Sequence, residues 1–143
     1  MKKIKFKGQV IGGHGRWIYG NSLIQNDAGT KYIGDNIAPS KINESNVHEV
    51  VHVCPFTNFT DSNGEDIYDG DIISDPKDSS YNNRHLITFS ETDRYYHAVL
   101  LPFVKGQGCD GLLSQEWIEE FKKEIIGNKF DNPELLNNKK KIN

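Results

Sequence analysis

The sequence predicts a mainly β chain with a minor α component, and three observations carry that expectation. Apolar residues arrive in short bursts between Gly-, Asn- and Asp-rich turns. β-Branched and aromatic residues dominate those bursts. A single good stretch of helical spacing occurs, near the C-terminus. At 143 residues the chain has the usual size of one compact domain and is long enough to bury a core.

Taken in order, Lys3-Ile4-Lys5-Phe6-Lys7 alternates with period two and reads as a half-buried first strand. Lys3, Lys5 and Lys7 then share its solvent face, opposite Ile4 and Phe6. Gly12-Gly13-His14-Gly15 turns the chain into a second strand at Arg16-Trp17-Ile18-Tyr19-Gly20, which Asn21 to Gln25 continue. After the turn Asn26-Asp27-Ala28-Gly29, Lys31-Tyr32-Ile33-Gly34 is a third, weaker strand, and residues 38–46 read as loop. Val47 to Val53 is rich in valine and runs into Cys54-Pro55, which favours extended structure.

Beyond Phe56 to Thr60, Asp61-Ser62-Asn63-Gly64 predicts a hairpin whose Asn63-Gly64 pair suits a type I′ turn. Ile67 then points inward, with Asp66 and Tyr68 on the other face. Asp69-Gly70-Asp71 is a second tight turn that returns Ile72 and Ile73 to the core. The segment from Asp75 to Arg84 is polar, and His85–Ser90 and Tyr95–Val104 read as two further strands. A helix is expected over about 114–123, capped by Ser114, with Glu116 in its first turn and Lys122 and Lys123 near its end. Trp117, Ile118 and Phe121 form its apolar face. Residues 124–130 return to a strand, and Pro133 opens a short helical turn. The expected organisation is one compact unit with an N-terminal β-rich portion (1–46), a second portion (47–136) that carries the helix, and a flexible tail (137–143).

Composition removes several functional classes. The net charge of −3 gives no general attraction to phosphate. No apolar run approaches the ~20 residues of a membrane span, and Met1 to Lys7 lack the apolar run of a signal peptide, so a cytoplasmic location is expected. Cys54 and Cys109 make neither a disulfide framework nor a paired metal spacing.

Three motifs invite chemistry. His48-Glu49-Val50-Val51-His52 matches H-E-x-x-H. On a helix, His48 and His52 would share a face and grip one Zn²⁺, with Glu49 as general base on the metal-bound water. The surrounding valines and Pro55 instead predict a strand, in which the two rings lie roughly 13 Å apart, too far for one metal. Gly106-Gln107-Gly108-Cys109-Asp110-Gly111 matches G-x-G-x-x-G, but no alternating βα pattern surrounds it, so it reads as a loop. Asp61-Ser62-Asn63-Gly64-Glu65-Asp66 resembles a calcium loop, yet its glycine comes early and no twelfth-position glutamate follows. Lys2, Lys3, Lys5, Lys7 and Arg16 near Phe6, Trp17 and Tyr19, with Lys139 to Lys141, are a candidate basic-aromatic face for nucleic acid. An edge strand protected by lysines explains the N-terminal group as well, and the acidic total favours that reading over nucleic-acid binding.

Three segments resemble the YopX family of phage and prophage proteins. The start pairs Ile4-Lys5-Phe6-Lys7 with Gly15-Arg16-Trp17-Ile18-Tyr19-Gly20. The middle runs from Phe56 to Ile73 and is similar to aromatic-Thr-Gly-Leu-x-Asp-x-Asn-Gly-x-x-Ile-Tyr-Glu-Gly-Asp-Ile-Val. The end is Ile125 to Leu136. Asn58 stands where the family usually has glycine, and Asp69 where it has glutamate. The resemblance implies an SH3-like barrel over 47–136, beside the N-terminal β-rich portion and the C-terminal helix. It also implies a phage- or prophage-encoded accessory protein in the host cell, and it transfers no catalytic residue. The functional expectation is therefore a non-enzymatic binding module without cofactor, metal or catalytic residues. Its expected partner is a host or phage protein, with nucleic acid and self-association as further partners. The alternatives are a zinc-dependent hydrolase built on His48, Glu49 and His52, or a nucleic-acid-binding small barrel.

Overall fold

Turn chemistry sets where the chain reverses, and the strands lie between the turns. The structure, a computed structural model, describes residues 2–37, 47–78, 83–101 and 110–136. The strands are β1 (Phe6–Val10), β2 (Trp17–Gly20), β3 (Ser22–Gln25), β4 (Lys31–Gly34), β5 (His48–Thr60), β6 (Asp66–Tyr68), β7 (Asp71–Ser74), β8 (His85–Ser90), β9 (Tyr95–Leu100), β10 (Asp110–Leu112) and β11 (Glu124–Asn128). One α-helix, α1 (Gln115–Glu120), and a 3₁₀ turn at Pro133–Leu135 accompany them among the described residues. One sheet has the order β2-β1-β5-β4-β3, with β6 also pairing β5, and the other has the order β10-β9-β8-β7-β11. The chain groups into two compact units, Met1–Phe56 and Thr57–Asn143, and the 13-residue β5 runs through the boundary.

In the first unit, β2 and β3 lie at opposite edges of the sheet order although Asn21 alone separates them in sequence. The sheet therefore curls towards that corner. Asn21 braces it by donating from Nδ2 to Asn36 Oδ1 at 3.1 Å and accepting from the Asn36 N–H at 2.7 Å. The approach is so close that a Cβ on Gly20 would collide with the Gly34 carbonyl. Ile33, Val50 and Cys54 are buried here.

Two expectations for this unit fail. The first strand starts at Phe6 and is flanked by both β2 and β5, so it is no edge strand. With that register Lys7 is only 7% exposed and Ile4 is 70% exposed, the reverse of the simple alternation. Lys7 keeps its ammonium 4.7 Å from the centroid of the Trp17 ring, so its stem packs inward while its charge meets an aromatic face.

In the second unit, Ile67, Ile73, Ile87, Ala98, Leu113 and Ile118 form the core, with Phe59, Tyr96, Trp117 and Ile125 packed against it. The hairpin at Asp61–Glu65 is not a type I′ turn, because Gly64 (φ +85°) has positive φ and Asn63 does not. Asp61 decides this: its Oδ1 accepts from the N–H groups of Asn63 (2.8 Å) and Glu65 (2.9 Å), which holds the turn in another form. The same device closes the β3–β4 hairpin, where Asn26 Oδ1 accepts from Ala28 and Thr30 and Gly29 takes φ +87°. Asp61 also accepts from Ile125 through Oδ2 at 3.0 Å, pinning the hairpin to β11. Tyr68, expected on an outer face, is buried at 4% exposure, because the turn at Asp69–Gly70 folds it in and Asp71 accepts from its N–H at 2.8 Å.

Ser114 caps α1, accepting from the Trp117 N–H at 3.1 Å. The helix is shorter than 114–123 and ends in a left-handed residue, Lys122 (φ +53°). Its closing bonds run from Lys122 N to Glu119 O and from Lys123 N to Ile118 O, a Schellman arrangement that turns Lys123 inward. In sequence α1 connects β10 and β11, which are the outer strands of the second sheet order and are not neighbours in it. Neither sheet closes on itself among the described strands, so the mainly β architecture is present without the closed SH3-like barrel that the resemblance implies.

Candidate functional site

The H-E-x-x-H residues lie on β5, not on a helix. His48 pairs with Ile33 and Glu49 with Tyr32 across to β4. His52 sits in a bulge, at φ +57°, where the register against β1 slips between Gln9↔Val51 and Lys7↔Cys54. The helical geometry that would stack His48 and His52 over one ion is absent. Among the described residues, no three His, Cys, Asp or Glu side chains gather as a metal set. A shallow depression of about 310 Å³ runs along Glu49 to His52 beside the Ala28–Lys31 turn.

The other sequence candidates disperse. The glycine-rich segment from Gly106 to Cys109 and the lysines at 139–141 lie outside the described residues. Asp61 to Asp66 forms the hairpin already described. The N-terminal basic group loses Lys7 to burial, and Lys5 places its ammonium 4.6 Å from the centroid of the Phe56 ring.

A different site is better built. In the second unit, a cleft of about 420 Å³ is lined by Asp75, Asp78, Asn83, His85, Trp117, Glu120, Phe121, Lys122 and Lys123. Asn83, 5% exposed, organises its floor. Its Nδ2 lies 2.9 Å from Ser74 Oγ, 2.6 Å from the Asp75 carbonyl and 2.9 Å from the Asp78 carbonyl, and its Oδ1 accepts from the Asp75 N–H. Lys123 donates from Nζ to the Asn83 carbonyl and to Asn83 Oδ1, both at 2.7 Å. The ammonium also lies 5.3 Å from the centroid of the Trp117 ring, whose edge-on neighbour is His85 at 4.9 Å. Trp117 leans towards Phe121, ring centroids 6.3 Å apart, and Phe121 is 51% exposed at the rim.

The electrostatics follow from this packing. Burial pushes the His85 pKa down to about 4, helped by the Lys123 charge and opposed by a hydrogen bond to the Asn83 backbone, so His85 is neutral at pH 7. Burial also lowers the Lys123 pKa, while the Asp75 and Asp78 carboxylates work to raise it. Elsewhere in this unit, burial raises the pKa of Asp69, with Lys129 opposing.

Sequence reasoning placed Trp117, Ile118 and Phe121 together on a core-facing stripe and left Lys123 as a helix-end charge. It missed Asn83, His85 and Lys123 as one cluster. Ser114 signals where the helix starts, but no local signal marks its end, because a lysine and not a glycine stands at the positive-φ position there.

Fold and cleft together define a small β protein of two antiparallel sheets whose helix carries an aromatic cleft. The family model described as YopX protein matches residues 14–137, and the chain belongs to the YopX family. Among solved structures it is similar to the crystal structure of protein EF1440 from Enterococcus faecalis, at 19% identity and a TM-score of 0.57, over 95% of this chain and 99% of that one. That likeness concerns the fold. No curated protein matches the chain. No helix among the described residues is long and apolar enough to cross a membrane.

Proposed function

We propose that this YopX-family chain is a non-enzymatic binding module, an accessory protein of phage or prophage origin acting in the host cytoplasm, and that its protein partner docks on the Trp117–Phe121 cleft. The observation that carries this reading is Phe121. A large aromatic ring is left half exposed at a cleft rim by a well-capped helix end, next to a tryptophan anchored by Lys123 and His85. Aromatic anchors beside a preformed pocket are the usual centres of protein–protein binding energy. Phe121 lies outside the buried core, which includes Ile118 and Leu113, and its ring meets the structure through Trp117.

The test is comparative capture from lysogenic or infected cells, using the full chain and a Phe121→Ala variant with an unchanged melting curve. The expected result is a protein retained by the first and lost by the second. Identical captures from both, or capture of nucleic acid alone, would refute the reading.

A further inference from the structure

We infer that the segment docking in this cleft is basic, with an arginine or lysine side chain laid over Phe121 and its charge facing Glu120 and Asp75; this rests on the cleft being the docking surface. The charge on the lining decides it. Asp75, Asp78 and Glu120 contribute three carboxylates, and Glu116 and Glu119 lie on the same helix as Glu120. Of the two lining lysines, Lys123 is 5% exposed and turns its ammonium into the Asn83 oxygens, and its charge offsets part of the Asp75 and Asp78 charge, leaving three carboxylates against two lysines on the lining. Among the described lining residues, Lys122 is the exposed cation. His85 is neutral at pH 7 and adds none.

The surroundings carry the same sign. The second unit holds 10 basic and 16 acidic residues, a net −6, whereas the first holds 7 and 4, a net +3. A field of that sign draws a cationic segment in and repels phosphate. The ring chemistry agrees. Trp117 already takes an ammonium on its inner side, and the half-exposed Phe121 ring offers a second aromatic face for a cation or a guanidinium plane.

Calorimetric titration of the full chain with a short Gly-Ser peptide carrying arginines tests this, with lysine and glutamate counterparts, at low and physiological ionic strength. The arginine and lysine peptides are expected to bind, less tightly as salt rises. The Asp75→Asn/Glu120→Gln variant and Phe121→Ala are each expected to bind about tenfold more weakly. Lys122→Gly, which removes the outward cation, is expected to bind about two- to threefold more tightly, a change opposite in sign. Asp75→Asn keeps the side-chain oxygen that accepts from the Lys77 N–H, and melting curves verify that each variant folds. Equal binding to wild type and Asp75→Asn/Glu120→Gln, or equal binding of the glutamate peptide, overturns the inference. A dimer in sedimentation that the same double variant dissolves would assign the cleft to a second copy and overturn it as well. If Phe121→Ala loses a captured partner while basic peptides fail, the basic chemistry is wrong and the docking surface stands. If Phe121→Ala captures the same proteins as wild type, the docking surface itself is wrong.

Discussion

At the scale of single residues, left-handed backbone positions and buried acceptors account for choices that local propensity does not. Asn58 has φ +69°, which explains why the YopX resemblance places glycine there, and asparagine is among the few other residues that tolerate this region. Lys122 occupies the same region at the end of α1 without the freedom of glycine. Replacing Lys122 with glycine should therefore stabilise the protein by about 1 kcal/mol, read as a rise in the urea midpoint with unchanged slope. Asp61 accepts three backbone N–H groups through two oxygens and is 4% exposed. Asp61→Ala should cost roughly 3 kcal/mol or more by stranding those donors, seen as a clear fall in the melting temperature. His85 adds a pH dependence. Its folded pKa of about 4 lies below the ordinary 6.5, so the unfolded chain binds the proton first. The stability it contributes is complete above about pH 6.5 and is lost as the pH falls towards 4. His85→Phe should keep the ring against Trp117 and flatten the melting temperature between pH 7 and 5 relative to wild type.

At the scale of elements, the start of α1 was legible and its end was not. Ser114 and the spacing after it predict the cap, and Ser114→Ala should cost about 1 kcal/mol in thermal or chemical unfolding. The polar residues after Phe121 carry no local sign of a Schellman turn, because a lysine stands where glycine would announce it. The inward course of Lys123 therefore depends on Asn83, 40 residues away, and on Trp117. Asn83→Ala should cost roughly 2–4 kcal/mol, more than a substitution in the polar segment from Asp75 to Arg84 would suggest, and circular dichroism melting checks it. Strand β5 teaches the same lesson. Its valines indicated extended structure correctly, but the bulge at His52 belongs to the pairing with β1, and pairing partners are not written in one strand's own residues. Lys7 shows the limit of period-two reading: with β1 between β2 and β5, position in the sheet overrides alternation.

At the scale of the whole molecule, a chain with a net charge of −3 divides into a unit of +3 and a unit of −6, and that division is invisible in the total. It gives the account its functional direction, because the aromatic cleft lies on the acidic unit and the exposed N-terminal lysines lie on the other. The two tryptophans are divided in the same way, Trp17 in the first unit and Trp117 at the cleft, so each reports on one unit. The most direct measurement is a ¹H–¹⁵N spectrum of the full chain, following both indole N–H signals as an arginine-bearing Gly-Ser peptide is added. The account predicts a saturable shift of the Trp117 signal, abolished in the Asp75→Asn/Glu120→Gln variant, while the Trp17 signal holds still. A shift at Trp17 alone, or no shift at either indole, would contradict it.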